Sequence, residues 1–358
     1  MNILILSERL SPSIGGVEVV TRLLAEALRS EGQTVTVATN QEDAQAGERM
    51  KDVVSRPGFR QLLSLYKQAD AVILQGPGMR LGWPLLWKRN KALMVHHTIS
   101  PPKGGLCWAR TSLFRRATHA AVSHALKQKL NHPVRLVLLN PYDDKQFYRD
   151  PRVTPGRDVL LVGRLVAEKG AHVLVEALAC LKRYGVSVRS TVVGAGPEND
   201  RLSEMVLKNG LQEDLDMKGP VLGANLADIY KQHRIVVIPS IGFEPFGLVA
   251  LEAIASGCVV LASDTGGLRE ATGRCGVTVP PNDPNALADQ LQSWLRSPEQ
   301  LKRFQGGSEK HLAKHRTRAV AKTYLEVLKR LGASASTRGS LFCPAREKTR
   351  ARDSLLRS

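Results

Sequence analysis

The sequence predicts an α/β protein made of two parallel-sheet domains. Three observations carry this. From Ile3 to about Leu331, short apolar runs alternate with stretches of helical periodicity, the order that strand–helix–strand units produce. The runs are continuous rather than alternating, for example Ile235-Val236-Val237-Ile238, as strands covered on both faces are. The length of 358 residues with 43% hydrophobic content suffices for two ordinary cores of about 150 residues each.

Taken in order, Ile3 to Ser7 opens the first sheet, Val17 to Ser30 is an amphipathic helix, and Thr34 to Ala38 returns as a strand. Runs at Ala71 to Leu74, Ala92 to Val95, His119 to Ser123 and Leu136 to Leu139 complete that sheet. Asn140-Pro141-Tyr142-Asp143 through Pro155-Gly156 is polar and carries prolines, so it reads as an interdomain linker. The second domain continues with strands at Asp158 to Val162, Ser190 to Gly194, Asp216 to Gly219, Ile235 to Pro239, Val259 to Ala262 and Gly276 to Val279. Leu301 to Leu331 reads as helix with a break near His315. Beyond Gly332 the chain is rich in Ser, Arg and Gly without apolar periodicity, which predicts a disordered basic tail over 333–358. The expected domains are 1–150 and 151–315, with 316–332 a helix returning to the first.

Composition excludes several classes. No stretch approaches the roughly 20 apolar residues that span a bilayer, and Met1 to Leu6 is followed at once by Ser7-Glu8-Arg9 rather than a cleavage site. Cys107, Cys180, Cys258, Cys275 and Cys343 show neither an even count nor metal-ligand spacing, so a cytoplasmic, reducing setting is expected. The net charge of +18 is unevenly spread. Residues 51–150 hold 17 basic against 5 acidic side chains and 301–358 hold 15 against 4, whereas 151–300 hold 15 against 17. Two basic segments on one face would suit an anionic membrane surface, placing the chain peripherally on the inner face of the cell membrane. Nucleic acid is a weaker reading, because the basic runs lack interleaved aromatics.

Chemistry is concentrated in two places. Between Glu244 and Glu252 the chain reads Glu-Pro-Phe-Gly-Leu-Val-Ala-Leu-Glu, directly after the apolar run that ends at Pro239. Pro245 suits a first helical position, so a helix is expected from about Phe246. Its free N–H groups would point at an anionic ligand beyond the carboxyl edge of the sheet. On such a helix Glu244 and Glu252 would stand about 12 Å apart along the axis, too far to share a proton but placed to hold two ends of one elongated ligand. The second place is Asp158 to Gly170, a buried-type strand, the turn at Gly163, and the cations Arg164 and Lys169. Cations preplaced around a diphosphate stabilise the charge that grows as its bond to a sugar breaks.

These residues, with Gly15-Gly16-Val17-Glu18, Gly194-Ala195-Gly196-Pro197, Pro239-Ser240 and Asp264-Thr265-Gly266-Gly267, make the chain resemble the retaining glycosyltransferases of family 4 (glycosyl transferases group 1). The resemblance implies the GT-B fold, two Rossmann-like domains with parallel sheets facing a central cleft. It puts Arg164 and Lys169, with the turn at Gly163, on the donor diphosphate. Glu244 and the amides of Phe246, Gly247 and Leu248 fall on the transferred sugar and phosphate, and Glu252 on the ribose. Gly16 would let the first loop approach the phosphates and acceptor, and Val221 lies by the base. His97-Thr98 resembles the family segment whose His lies near the reacting sugar, with His96 the competing choice. The implied partners are a nucleotide-sugar donor and a glycan or lipid-linked acceptor, the implied pathway a bacterial cell-surface polysaccharide. Neither a metal nor a cofactor is implied, since cations and a helix terminus take the metal's place.

Other motifs carry less. Gly194-Ala195-Gly196 lacks the third glycine of a dinucleotide fingerprint. Asp214-Leu215-Asp216 borders a strand after a loop and reads as surface, and Asp143-Asp144 belongs to the linker. A sugar-nucleotide epimerase or hydrolase, or a non-catalytic nucleotide-sugar binding protein, would share much of this pattern.

Overall fold

Side-chain parity along each strand decides which face of the sheet it serves. The computed structural model describes residues 1–8, 10, 15–41, 52–76, 78–86, 91–99 and 115–333; the tail expected at 333–358 lies outside them apart from residue 333. Among the described residues the first sheet has seven strands: β1 (Asn2–Ser7), β2 (Thr34–Thr39), β3 (Val53–Ser55), β4 (Ala71–Gln75), β5 (Lys91–His96), β6 (Thr118–Ala121) and β7 (Leu136–Val137). Their spatial order is β3-β2-β1-β4-β5-β6-β7, and every pairing is parallel. The second sheet has six: β8 (Arg157–Val162), β9 (Ser190–Val193), β10 (Leu215–Met217), β11 (His233–Ile238), β12 (Val259–Ser263) and β13 (Gly276–Val279). They run β10-β9-β8-β11-β12-β13, again all parallel.

Helices fill the intervals. Around the first sheet lie α1 (Gly16–Ser30), α2 (Phe59–Gln68), α3 (Met79–Gly82) and α4 (His124–Lys129). Around the second lie α5 (Ala171–Arg183), α6 (Asn199–Lys208), α7 (Gly223–Lys231), α8 (Leu248–Ala255), α9 (Leu268–Thr272), α10 (Pro284–Arg296), α11 (Pro298–Gln305) and α12 (Ser308–Ala313). The last described element, α13 (Thr317–Ala333), packs along α1, and Arg318 Nε reaches Glu31 Oε1 at 2.6 Å.

Parity then sorts the core. Ile3, Ile5, Ile73, Leu93 and Val95 enter one apolar cluster with Leu24 and Leu28 of α1 and Tyr324 and Leu328 of α13. Leu4, Leu6, Val72, Leu74 and Met94 enter another with Leu62 and Tyr66 of α2. In the second sheet Val159, Leu161, Ile235 and Val237 pack against α5 and α10. Leu160, Val236 and Ile238 face the other way, into the cluster that also holds the first sheet's Ile3 and Leu93.

The structure corrects the sequence reading in three places. Val53–Ser55 is an edge strand too short and too polar to be seen as a periodic run. The Leu301 to Leu331 segment is three helices: besides the break expected near His315, which falls over 314–316, it is interrupted earlier, at Gly306-Gly307. The earlier break is where two adjacent glycines weaken helix most. The third correction concerns the start of α8.

Candidate active site

Strand order locates the crevice. In the first sheet the order reverses between β1 and β4, and in the second between β8 and β11, and ligands of open parallel sheets lie outside the carboxyl ends at such points. The loops leaving those ends include 163–170 after β8 and 239–247 after β11, and Gly16 opens the helix that follows β1.

The 163–170 and 239–247 loops are bolted together by backbone. Ile241 and Gly242 both donate to the carbonyl of Glu168, at 2.9 and 3.1 Å. Gly170 takes φ +68°, and a Cβ there would stand 2.0 Å from the carbonyl oxygen of Pro239, so only glycine permits this approach. The result is that Lys169 Nζ forms an ion pair with Glu244 Oε2, with 29% and 16% of the two side chains exposed. Ser240 Oγ donates to the same carboxylate oxygen at 3.4 Å. Arg164 lies apart from this pair. Its guanidinium sits 3.6 Å from Glu168 Oε1, both side chains being more than 60% exposed.

The helix after Glu244 begins later than its proline suggested. Gly247, not Pro245, precedes the first turn, at φ +100° and ψ +74°, and α8 starts at Leu248. A residue in that conformation cannot be helical, and a Cβ on it would lie 2.6 Å from Leu268 Cδ2. Residues 244–247 are instead a braced loop: Gly267 N–H donates to the Glu244 carbonyl at 2.7 Å and Ser123 Oγ to that of Pro245 at 2.6 Å. The helical-wheel relation between Glu244 and Glu252 therefore does not apply, because the two are not on one helix. Phe246 is buried and tilts against His315, with centroids 5.5 Å apart, so only its backbone is available to a ligand. The amides of Phe246, Gly247 and Leu248 make no hydrogen bond among the described residues, as first-turn N–H groups do when no cap is present.

Glu252, one turn into α8, is half-buried and accepts from Tyr230 Oη at 3.0 Å. Burial, with a smaller contribution from Asp143, pushes its carboxyl up to about 7 against the lowering effect of the Tyr230 bond. Val221, just before α7, is half-buried against the same apolar cluster as Leu248. Across the crevice, a Cβ on Gly16 would meet Leu248 Cδ1 at 3.3 Å, so the starts of α1 and α8 are in contact. Gly163 donates to the Val193 carbonyl and Leu165 to that of Ala195, which docks the Gly194-Ala195-Gly196 loop beneath Arg164.

The two adjacent histidines part company. His97 is half-buried, with Nε2 2.6 Å from Gln75 Oε1 at the end of β4, and burial lowers it to about 4. His96 turns the other way, onto His119 and His132. Asp214 is tied by Lys182 and Ser187, and Asp216 by Lys218, while Asp143 pairs with Arg22 of α1 and Asp144 accepts from Thr317. Sequence reasoning missed Tyr230, Gln75 and Ser123. Each is an ordinary residue whose role appears only when separate elements meet.

Residues 144–311 match the family described as "Glycosyl transferases group 1". A glycogen synthase of Mycobacterium tuberculosis is 36% identical over 157 residues, which are 43% of this chain and 37% of that one. The chain spans roughly a third to a half of the length of the curated relatives it matches first. Sucrose-phosphate synthase from Thermosynechococcus elongatus superposes with a TM-score of 0.77 at 21% identity, over 93% of this chain and 99% of that one. The Anabaena protein HepE in complex with UDP gives 0.75 at 20%, over 92% and 100%. Such identities speak to the fold alone, which is GT-B. The matched segment, just under half of the chain, is thus similar in sequence to the group 1 glycosyltransferases, and the two-domain architecture around it is the GT-B fold.

Proposed function

We propose that this protein moves a sugar from a nucleoside-diphosphate sugar to a hydroxyl of a glycan or lipid-linked acceptor, with retention of anomeric configuration. The observation that carries it is the Lys169–Glu244 pair next to the amides of Phe246, Gly247 and Leu248, which make no hydrogen bond among the described residues. Together they offer a cation, a fixed acceptor for sugar hydroxyls and an anion-binding helix start in one place. Lys169 and Arg164 take the diphosphate, with Arg164 leaving Glu168 to do so. Glu244 holds the donor sugar, and Glu252 and Val221 hold the nucleoside. Gly163 and Gly16 let backbone close on the phosphates. The leaving diphosphate oxygen accepts the acceptor's proton on the face it departs from, so no carboxylate nucleophile is needed and positioning with charge stabilisation supplies the rate. His97, held by Gln75, stands on the acceptor side as a neutral imidazole. Residues 1–150 with the returning helix 316–332 form the acceptor side in this reading, and 151–315 the donor side. The superposition with a protein that binds UDP makes UDP-sugars the first donors to test. Calorimetry with UDP-, GDP- and ADP-glucose should show submillimolar binding of one of them, weakened by Glu252→Ala; a panel with no binding at all would end the proposal.

Glu252 gives this reading a pH dependence. Its folded value near 7 lies above the ordinary 4.5, so the folded chain retains a proton that the unfolded chain loses. Its contribution therefore destabilises progressively as pH rises from about 4.5 to about 7 and is constant above. The ionised carboxylate is the stronger acceptor for two ribose hydroxyls, so affinity for a UDP-sugar should rise from pH 6 to about pH 8. A UDP-sugar diphosphate has no proton to titrate there. Glu252→Gln should flatten the profile, and an unchanged slope in that variant would refute the assignment.

The basic segments support a second part of the proposal, that the chain works at an anionic membrane surface in cell-surface polysaccharide synthesis. No helix of the described residues is long and apolar enough to cross a membrane. Flotation with anionic and neutral liposomes at low salt should show binding to the anionic ones alone; equal partition would count against it.

A further inference from the structure

A second cluster of chemistry lies behind His97, on the opposite face of the first sheet from α1 and α13. His96 ends β5, His119 lies in β6, and His132 follows α4. Met94 pairs with His119 in the β5–β6 register and His96 with Ala121, so His96 and His119 are diagonal neighbours on one face. His96 Nε2 is 2.8 Å from His119 Nδ1 and 3.1 Å from His132 Nε2. One nitrogen from each ring lies within 4.8 Å of the other two, and among the described residues no other trio of potential ligands converges in this way. His96 and His119 are 2% and 7% exposed, in a face otherwise lined by Leu4, Leu6, Val72 and Met94.

Among the three rings themselves, hydrogen bonding leaves a conflict at His96 Nε2. A neutral imidazole nitrogen carries either one hydrogen or one lone pair, so His96 Nε2 can make one good bond but faces two ring nitrogens. A cation resolves the conflict by taking up all three lone pairs. At metal–nitrogen distances of about 2.0–2.1 Å, ligands on a tetrahedral ion stand roughly 3.3 Å apart. Two of the three edges, at 2.8 and 3.1 Å, are within about half an ångström of that. Neutral imidazole is the form that binds metal.

We propose that His96, His119 and His132 form a binding site for a divalent first-row transition-metal ion of the Zn2+ class. Three imidazoles, with no carboxylate or thiolate joining them among the described residues, favour Zn2+, Co2+, Ni2+ or Cu2+ over Mg2+ or Ca2+. The fourth position is left for water. The site is separate from the donor crevice and takes no part in holding a diphosphate. Its consequence for the crevice is positional, because His96 is covalently joined to His97. An ion that fixes the His96 ring fixes the peptide from which His97 reaches Gln75.

The test uses the full chain, free of any purification tag and stripped with chelator, then titrated with Zn2+ by calorimetry and with Co2+ by visible absorption. One equivalent should bind, and bound Co2+ should show the intense d–d bands of a four-coordinate ion. Outer-shell changes cost roughly 10–100-fold in metal affinity, so removal of a ligand in His132→Ala or His119→Ala should cost about 100-fold or more. His132 is on a half-exposed turn, and its loss should leave the fold intact by circular dichroism. His97→Ala and His172→Ala should bind the ion as the parent does. No stoichiometric uptake, or uptake that survives His132→Ala, would overturn the site. The outcome does not depend on which sugar donor, if any, the protein uses.

Discussion

Replacing Lys169 by Ala is expected to lower kcat by about 100-fold or more with a smaller change in KM, the pattern of a contact that strengthens as charge develops. The ammonium is held in place before any ligand arrives, by Glu244 and by the backbone clamp between Glu168 and Ile241-Gly242. It therefore pays little reorganisation at the moment the diphosphate departs. Removing it also strands Glu244, whose remaining side-chain partner among the described residues is Ser240 at 3.4 Å. Lys169→Arg should not restore the rate, since a planar fork cannot occupy the site of a compact point charge. Arg164→Ala should fall in the same range, although its guanidinium starts from an exposed pairing with Glu168. Initial rates with saturating acceptor decide the matter. Near-parental turnover in both single variants would remove the two cations from the mechanism.

Gly170→Ala should be the most damaging substitution at a position that contributes no reactive atom. A non-glycine residue at φ +68° stores about 1–3 kcal/mol of strain, and the added methyl carbon would stand 2.0 Å from the Pro239 carbonyl oxygen. Backbone on both sides must move, so a loss of about 2–4 kcal/mol in stability is expected. It should appear as a lower urea midpoint at unchanged slope. The turnover number should drop with it, because the same displacement separates Lys169 from Glu244. A parental midpoint would show that the loop tolerates what its geometry forbids.

The sequence disclosed the sheets more faithfully than the site. Continuous apolar runs such as Ile235 to Ile238 fall within a residue or two of strands, because burial on both faces leaves few polar options. Val53–Ser55 escaped because a three-residue edge strand has no period to detect. At the site, Pro245 looked like a helix start, yet the fold places it in a loop. What decides is Gly247 and the backbone of Gly267, 20 residues away, and such contacts have no local signature. The family motifs named Lys169 and Glu244 individually; that they form a pair is a fact of three dimensions. His119 and His132 were invisible for the same reason, as their 13-residue separation matches no ligand spacing and their meeting point is made by strand register.

The helix α13 has a consequence for how the chain is made. Val320, Tyr324 and Leu328 cover the same apolar cluster as Ile3, Leu24 and Leu28, some 290 to 320 positions upstream. During synthesis at about 5–20 residues per second, the first domain emerges early but must wait many seconds for the piece that seals it. In that interval an oily face stays open to solvent, an invitation to chaperones on the ribosome. Expressing the first 150 residues alone should accordingly give an insoluble product, and supplying the α13 segment at its end through a short linker should rescue it.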